Sequence, residues 1–136
     1  MKKKVKKKYK WIWVLGSVVL LGLVFFNSPK KLLKIDIKDV VKITIFNGNT
    51  GDKIDIVNRA TINDIISNLN SVTIQRKSWA LGHMGYRYKI ELLGKKSKLK
   101  TFIVNSGTVV RKDLYYYDVV KGDIDIDYIA SLFANE

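Results

Sequence analysis

The sixteen residues from Trp11 to Phe26 carry no charge and follow seven lysines, Lys2, Lys3, Lys4, Lys6, Lys7, Lys8 and Lys10, with no acid among them. At 1.5 Å per residue such a stretch spans about 24 Å as a helix. That falls slightly short of a ~30 Å hydrocarbon core, a deficit that Tyr9, a snorkelling Lys10 and local thinning of the bilayer can meet. Trp11 and Trp13 at one end, and Phe25 and Phe26 at the other, are the expected membrane-anchor residues. A cleaved secretory signal has the same layout but needs small residues at positions −3 and −1. The chain from Val24 to Lys31 reads Val-Phe-Phe-Asn-Ser-Pro-Lys-Lys and offers no such pair. The segment is therefore expected to remain as a single-pass signal anchor in the cell membrane, with the lipid bilayer as first partner. The lysine excess before it, against Lys30, Lys31 and Lys34 after it, predicts a cytoplasmic N-terminus and an extracytoplasmic C-terminal domain.

This division changes the meaning of the net charge of +13. The N-terminal lysines supply +7, and removing them from the 25 basic residues leaves 18 against 12 acids, or +6, for the remainder. Acids are interspersed there, so no nucleic-acid partner is expected. The absence of cysteine excludes disulfides, thiolate nucleophiles and Cys-ligated zinc. A domain outside the membrane must then cohere by packing alone. The roughly 110 residues after the apolar run suffice for one core and not for two.

The expected organisation is a basic tail over 1–10, a transmembrane helix over 11–26, a short basic stalk over 27–37 and an α+β domain over 38–136. Pro29 stops the helix at or before Ser28. Val41, Ile43 and Ile45 alternate with Lys42 and Thr44, the period of a half-buried strand, and Asn47-Gly-Asn-Thr-Gly-Asp52 supplies turn chemistry before a returning strand from Lys53 to Val57. Ile62, Ile65, Ile66 and Leu69 then adopt helical spacing, with Thr61 as the expected N-cap. Strands follow at Val72 to Lys77, Tyr86 to Leu92 and Lys98 to Val104, and Val109 to Val120 holds at least one more, or two with a bend near Asp113. A closing helix runs through Tyr128, Ile129, Leu132 and Phe133. The spacing predicts an antiparallel sheet of five to six strands packed by two helices, in the order β-β-α-β-β-β-β-α.

No arrangement in the domain names a reaction. His83 is the sole histidine and has no carboxylate or second histidine near it in sequence, so it is read as a loop residue. Asp123-Ile-Asp-Ile-Asp127 lacks the glycine and the closing glutamate of a calcium loop, and its acids are read as caps of the final helix. No metal, cofactor or catalytic residue is expected, and the chain is not read as an enzyme. The most suggestive cluster is aromatic and basic. Arg76, Lys77, Trp79, Met84, Tyr86, Arg87 and Tyr88 lie near the middle of the chain, and Arg111, Lys112, Tyr115, Tyr116 and Tyr117 lie later. Three consecutive tyrosines on a strand must turn at least one ring away from the core. Rings of this kind, with arginine and a loop tryptophan, are enriched where proteins bind. The candidate binding residues are Trp79, Arg87, Arg111, Tyr115, Tyr116 and Tyr117, against a competing reading in which most of these rings are simply core.

Ile43-Thr-Ile-Phe-Asn-Gly48 followed by Thr50-Gly51, the run Gly85-Tyr-Arg-Tyr-Lys-Ile-Glu91, and Leu114-Tyr-Tyr-Tyr117 before a closing helix carry a resemblance over roughly residues 38–134. The layout resembles small Gram-positive membrane-anchored proteins with an uncharacterised extracytoplasmic α+β domain. These families are of unknown function, so the resemblance implies architecture and address and carries over no active residues. Expected is a membrane-tethered, non-enzymatic binding or sensing module that engages an envelope protein or an anionic envelope polymer. The alternatives are an accessory subunit of a membrane complex and, least supported, an envelope hydrolase or transferase.

Overall fold

The computed structural model describes residues 2–82 and 85–135. His83 and Met84 lie outside the described residues. Helix α1, Lys2–Asn27, contains one stretch, Tyr9–Asn27, that is long and apolar enough to cross a membrane, and it stays exposed along its length. The Ser28 hydroxyl donates to the Phe25 carbonyl at 2.8 Å where the helix ends, and Pro29 follows. The chain then goes straight into β1, Lys30–Lys31.

The rest of the domain is β2 (Lys42–Asn47), β3 (Lys53–Ile56), α2 (Arg59–Ser71), β4 (Thr73–Trp79), β5 (Tyr88–Leu93), β6 (Lys98–Val104), β7 (Val109–Lys112), β8 (Tyr115–Lys121) and α3 (Ile126–Ala134). All strands join one antiparallel sheet in the order β1-β4-β8-β7-β6-β5-β2-β3. The α+β class and the single antiparallel sheet agree with the reading of the sequence, but the sheet has eight strands rather than five to six. Two strands account for the difference. Asp113 takes a left-handed backbone at φ 55°, a conformation that short polar residues tolerate, and so folds Val109 to Val120 into the β7–β8 hairpin. Lys30 and Lys31 pair with Ile74 and Thr73, which two lysines with no alternation around them could not announce.

The expected stalk over 27–37 is therefore part of the domain, since Leu32 and Leu33 are buried in its core. Residues 32–41 connect one side of the sheet to the other and run alongside α2. Near the C-terminal end of α2, the Asn70 amide donates to the Ile35 carbonyl at 3.0 Å. Near its N-terminal end, Arg59 donates to the carbonyls of Val40 at 2.7 Å and Ile37 at 2.6 Å. Helix α2 starts earlier than expected because Asn58, not Thr61, is the cap: its side-chain oxygen accepts the Thr61 N–H at 3.2 Å. Asp125 caps α3 in the same way, accepting from Tyr128 N–H at 3.0 Å.

Helix α2 contributes Ile62, Ile65, Ile66 and Leu69 to the core, and α3 contributes Ile126 and Ile129. Ile43, Ile45, Ile90, Leu92, Phe102 and Val104 answer them from the sheet. Ile90 on β5 lies between Ile45 and Phe102 and is fully buried. Truncating Ile90 to Ala should cost about 2–5 kcal/mol, from lost transfer energy plus the cavity left behind. Urea unfolding of the purified protein measures this, and a loss below 1 kcal/mol would contradict Ile90 as the centre of the core.

Candidate functional site

Strand parity assigns one face of the sheet to the core, and the same parity places several cations on that face. On β6, Lys100 shares the side of Phe102 and Val104; on β7, Lys112 shares the side of Val110. Val110 faces Tyr117 across the β7–β8 pair, and Tyr117 faces Arg76 across the β8–β4 pair. Beside β1, at the corner where α1 enters, the face thus turns from aliphatic to cationic and aromatic.

Arg76 is the centre of this corner. Its guanidinium carbon lies 3.3 Å from the centroid of the Phe26 ring and 3.9 Å from that of Tyr115, so the cation is held between a ring of α1 and a ring of the sheet. Its Nε and Nη1 atoms are buried and find no hydrogen-bond partner. Lys30 comes from the other side, placing its ammonium 4.8 Å from the Tyr117 centroid and donating to the Tyr117 hydroxyl at 3.3 Å. Lys112 completes the group. Its pKa is pushed down to about 8, first by burial, then by the Lys100 amine close to it and by the charge of Lys30, with Asp113 opposing only weakly.

Elsewhere on the domain four lysines are matched to acids. Lys89 and Lys98 both reach the Glu91 carboxylate at 3.1 Å, Lys77 reaches Asp118 at 3.2 Å and Lys42 reaches Asp55 at 3.8 Å. Burial works to raise the Glu91 carboxyl, and the two lysines outweigh it, so that the group is held below its ordinary value. Among the described residues Lys30, Arg76, Lys100 and Lys112 form no ion pair.

The aromatic candidates divide by strand parity. Tyr117 is 2% exposed and belongs to the core, Tyr115 is half-buried beneath Arg76, and Tyr116 lies on the opposite face, across from Arg111 in the β7–β8 register. Trp79 ends β4, is 60% exposed and packs against the Tyr115 ring, tilted by 39° with centroids 4.6 Å apart. Leu81 just after it and Leu114 in the β7–β8 turn are also exposed, and the Ala80 N–H donates to the Leu114 carbonyl at 2.8 Å. Arg87 is elsewhere: its carbonyl accepts from Gly48 N–H at 2.8 Å, beside the β2–β3 turn. The structure therefore brings Trp79, Tyr115 and Tyr117 together and leaves Arg87, Arg111 and Tyr116 outside the corner. Of the expected anchor residues, Trp11, Trp13 and Phe25 are exposed on α1, and Phe26 packs on Tyr115 and Arg76.

Lys30 and Lys100 were not legible as site residues in the sequence. Lys100 had a signal, since it falls on the parity of Phe102 and Val104, where an apolar residue belongs. Lys30 had none, because its position depends on the pairing of β1 with β4. Compared with protein-family models, with curated proteins and with solved structures, the chain finds no match in any of the three.

The Lys112 ammonium should titrate near pH 8 in the folded protein, against about 10.4 for an ordinary lysine. Between these values the unfolded chain holds a proton that the folded chain has shed, so stability rises with pH across that window; below pH 8 the full repulsion is present. Replacing Lys100 by Gln should move the Lys112 titration upward, as read by NMR of the lysine side chains. An ordinary lysine pKa in the native protein would rule out the crowded corner.

Proposed function

We propose that this chain is a membrane-tethered, non-enzymatic binding module whose ligand is an anionic component of the cell envelope. In this reading α1 crosses the membrane with the lysine-rich leader on the cytoplasmic side, and the domain sits on the outer side. The observation that carries the ligand class is the corner of Lys30, Arg76, Lys100 and Lys112, four cations on one face without an ion pair among the described residues, in a domain whose other half-buried lysines, Lys42 and Lys89, are each paired with an acid. Such an arrangement raises the energy of the free state and is relieved by a bound anion. Trp79, packed against Tyr115, supplies an apolar flank. An envelope protein is the weaker ligand because the exposed apolar groups here, Trp79, Leu81 and Leu114, rim a cationic centre instead of forming an apolar one.

One observation favours a second reading, an accessory subunit that packs through its helix. Ile12, Trp13, Gly16, Ser17 and Leu20 line a shallow groove on α1, and a side chain at Gly16 would meet nothing. Exchanging residues 11–26 for an unrelated anchor separates the two, because a tether keeps its ligand after the exchange.

The lack of cysteine makes the topology directly testable. A membrane-impermeant maleimide applied to intact cells should label a Thr108→Cys variant, on the exposed β6–β7 turn, and leave a Lys4→Cys variant unlabelled. The reverse pattern would overturn the orientation. For the ligand, full-length protein in detergent should recover phosphate-rich material from envelope extract. A Trp79→Ala, Lys112→Gln variant should recover about tenfold less, two contacts of about 0.7 kcal/mol each. Equal recovery by both would remove the corner as the binding surface.

A further inference from the structure

The ligand of the corner can be narrowed by where the corner lies, an inference that rests on the reading of α1 as a membrane anchor. Phe26 is in the last turn of α1, and its ring is one of the two that hold the Arg76 guanidinium. Lys30 follows the helix end by three residues and is already hydrogen-bonded into the sheet. The Gln75 amide donates to the Asn27 carbonyl at 3.1 Å, fixing the helix end to β4. Whatever depth Phe26 occupies, Arg76 and Lys30 occupy too. The outer end of an apolar span lies at the boundary between acyl chains and headgroups, so the cations lie among lipid phosphates.

We propose that Lys30, Arg76, Lys100 and Lys112 form a site for the phosphodiester of one anionic phospholipid in the outer leaflet, with Trp79, Leu81 and Leu114 lying in the interface beside it. Charge sets the sign of the ligand. The covalent junction sets its source, because a soluble anion or a wall polymer would have to enter at headgroup depth, where lipid phosphates are already present. The apolar groups agree with this placement. Trp79 and Leu81 follow one another at the end of β4, and Leu114 joins them through the Ala80–Leu114 hydrogen bond. A tryptophan with two exposed leucines fits the region where rings and short apolar groups lie between water and hydrocarbon. The β5–β6 turn on the same rim of the sheet adds Lys95 and Lys96, a diffuse attraction to an anionic surface that is distinct from the corner.

The test uses full-length protein in nanodiscs of equal phosphatidylglycerol and phosphatidylcholine, released gently into detergent, with retained lipid counted by native mass spectrometry. The protein should retain phosphatidylglycerol over phosphatidylcholine by about tenfold, and a Lys100→Gln, Lys112→Gln variant should lose that preference. This variant relieves repulsion, so its melting temperature should not fall. A Lys95→Gln, Lys96→Gln variant should keep the preference; if it loses as much as the corner variant, attraction is diffuse and the site is overturned. Equal retention of both lipids by the native chain also overturns it. In a parallel arm, millimolar inorganic phosphate is added to the protein in detergent while the Lys112 NMR signal is followed. A response to phosphate equal to that with short-chain phosphatidylglycerol makes this a free-anion site and overturns the lipid assignment. Extraction of the chain from membranes by alkaline carbonate means that the anchor reading itself has failed, and the site with it. Retention in the membrane with no lipid preference means that only the site has failed.

Discussion

The Arg76 guanidinium, held between the Phe26 and Tyr115 rings, ties the apolar helix to the sheet. Each ring contributes about 0.5–2 kcal/mol, the larger value where water is excluded. The buried Nε and Nη1 atoms, lacking partners, show how completely that exclusion operates on one side of the cation. Around this contact the Gln75–Asn27 hydrogen bond and the β1–β4 pairing fix the helix end to the edge of the sheet. A flexible stalk would let the domain sample many attitudes relative to α1. These attachments leave it few, and the position of every other group relative to the helix follows from them.

The same junction explains why cations were left crowded. Residues 32–41, α2 and α3 close most of the core face, and where they stop, the face is finished by Lys30, Arg76, Lys100 and Lys112 over Tyr115 and Tyr117. The lowered Lys112 pKa, about 8, reflects a local cost, since a half-buried ammonium facing like charges opposes folding at neutral pH. Proteins concentrate such costs where an interaction outside the fold relieves them. Glu91 supplies the internal contrast: burial opposes its charge as well, yet Lys89 and Lys98 are placed to answer it.

Much of the fold was legible because period reports burial. The alternation of Ile43 and Ile45 and the helical spacing of Ile62, Ile65, Ile66 and Leu69 located β2 and α2. What stayed hidden depended on contacts between residues distant in sequence. Two lysines after Pro29 become a strand only because β4 offers them an open edge. The bend read near Asp113 in the sequence proves to be a full hairpin, made by a left-handed backbone angle at that residue. The site was legible in kind and not in membership. Aromatic and basic residues were visible as a cluster, and the three adjacent tyrosines had to divide between faces, but Arg87 and Arg111 separate from Arg76 only once the register is known. Lys30 and Phe26 looked like stalk and anchor, and they join the corner because the helix ends directly on the sheet.

That directness also bears on how strong the corner must be. The cavities lined by Lys38 to Leu99, by Asn68 and Asp123 to Asp127, and by Ile54 to Thr61 with Leu132 are open and shallow, and among the described residues these do not offer the many contacts of an enclosed small-molecule site. A shallow cationic surface binds a free anion weakly, since each exposed charge contributes little in water. Tethering alters that balance. On the proposed reading of α1 as an anchor, the corner and the leaflet beside it would be held together, and the effective concentration of headgroups would be set by the junction instead of by the bulk solution. Few charges then suffice, provided they are held at the right depth. The stacking of Arg76 on a ring of the helix itself is the feature that fixes the position of the corner relative to α1.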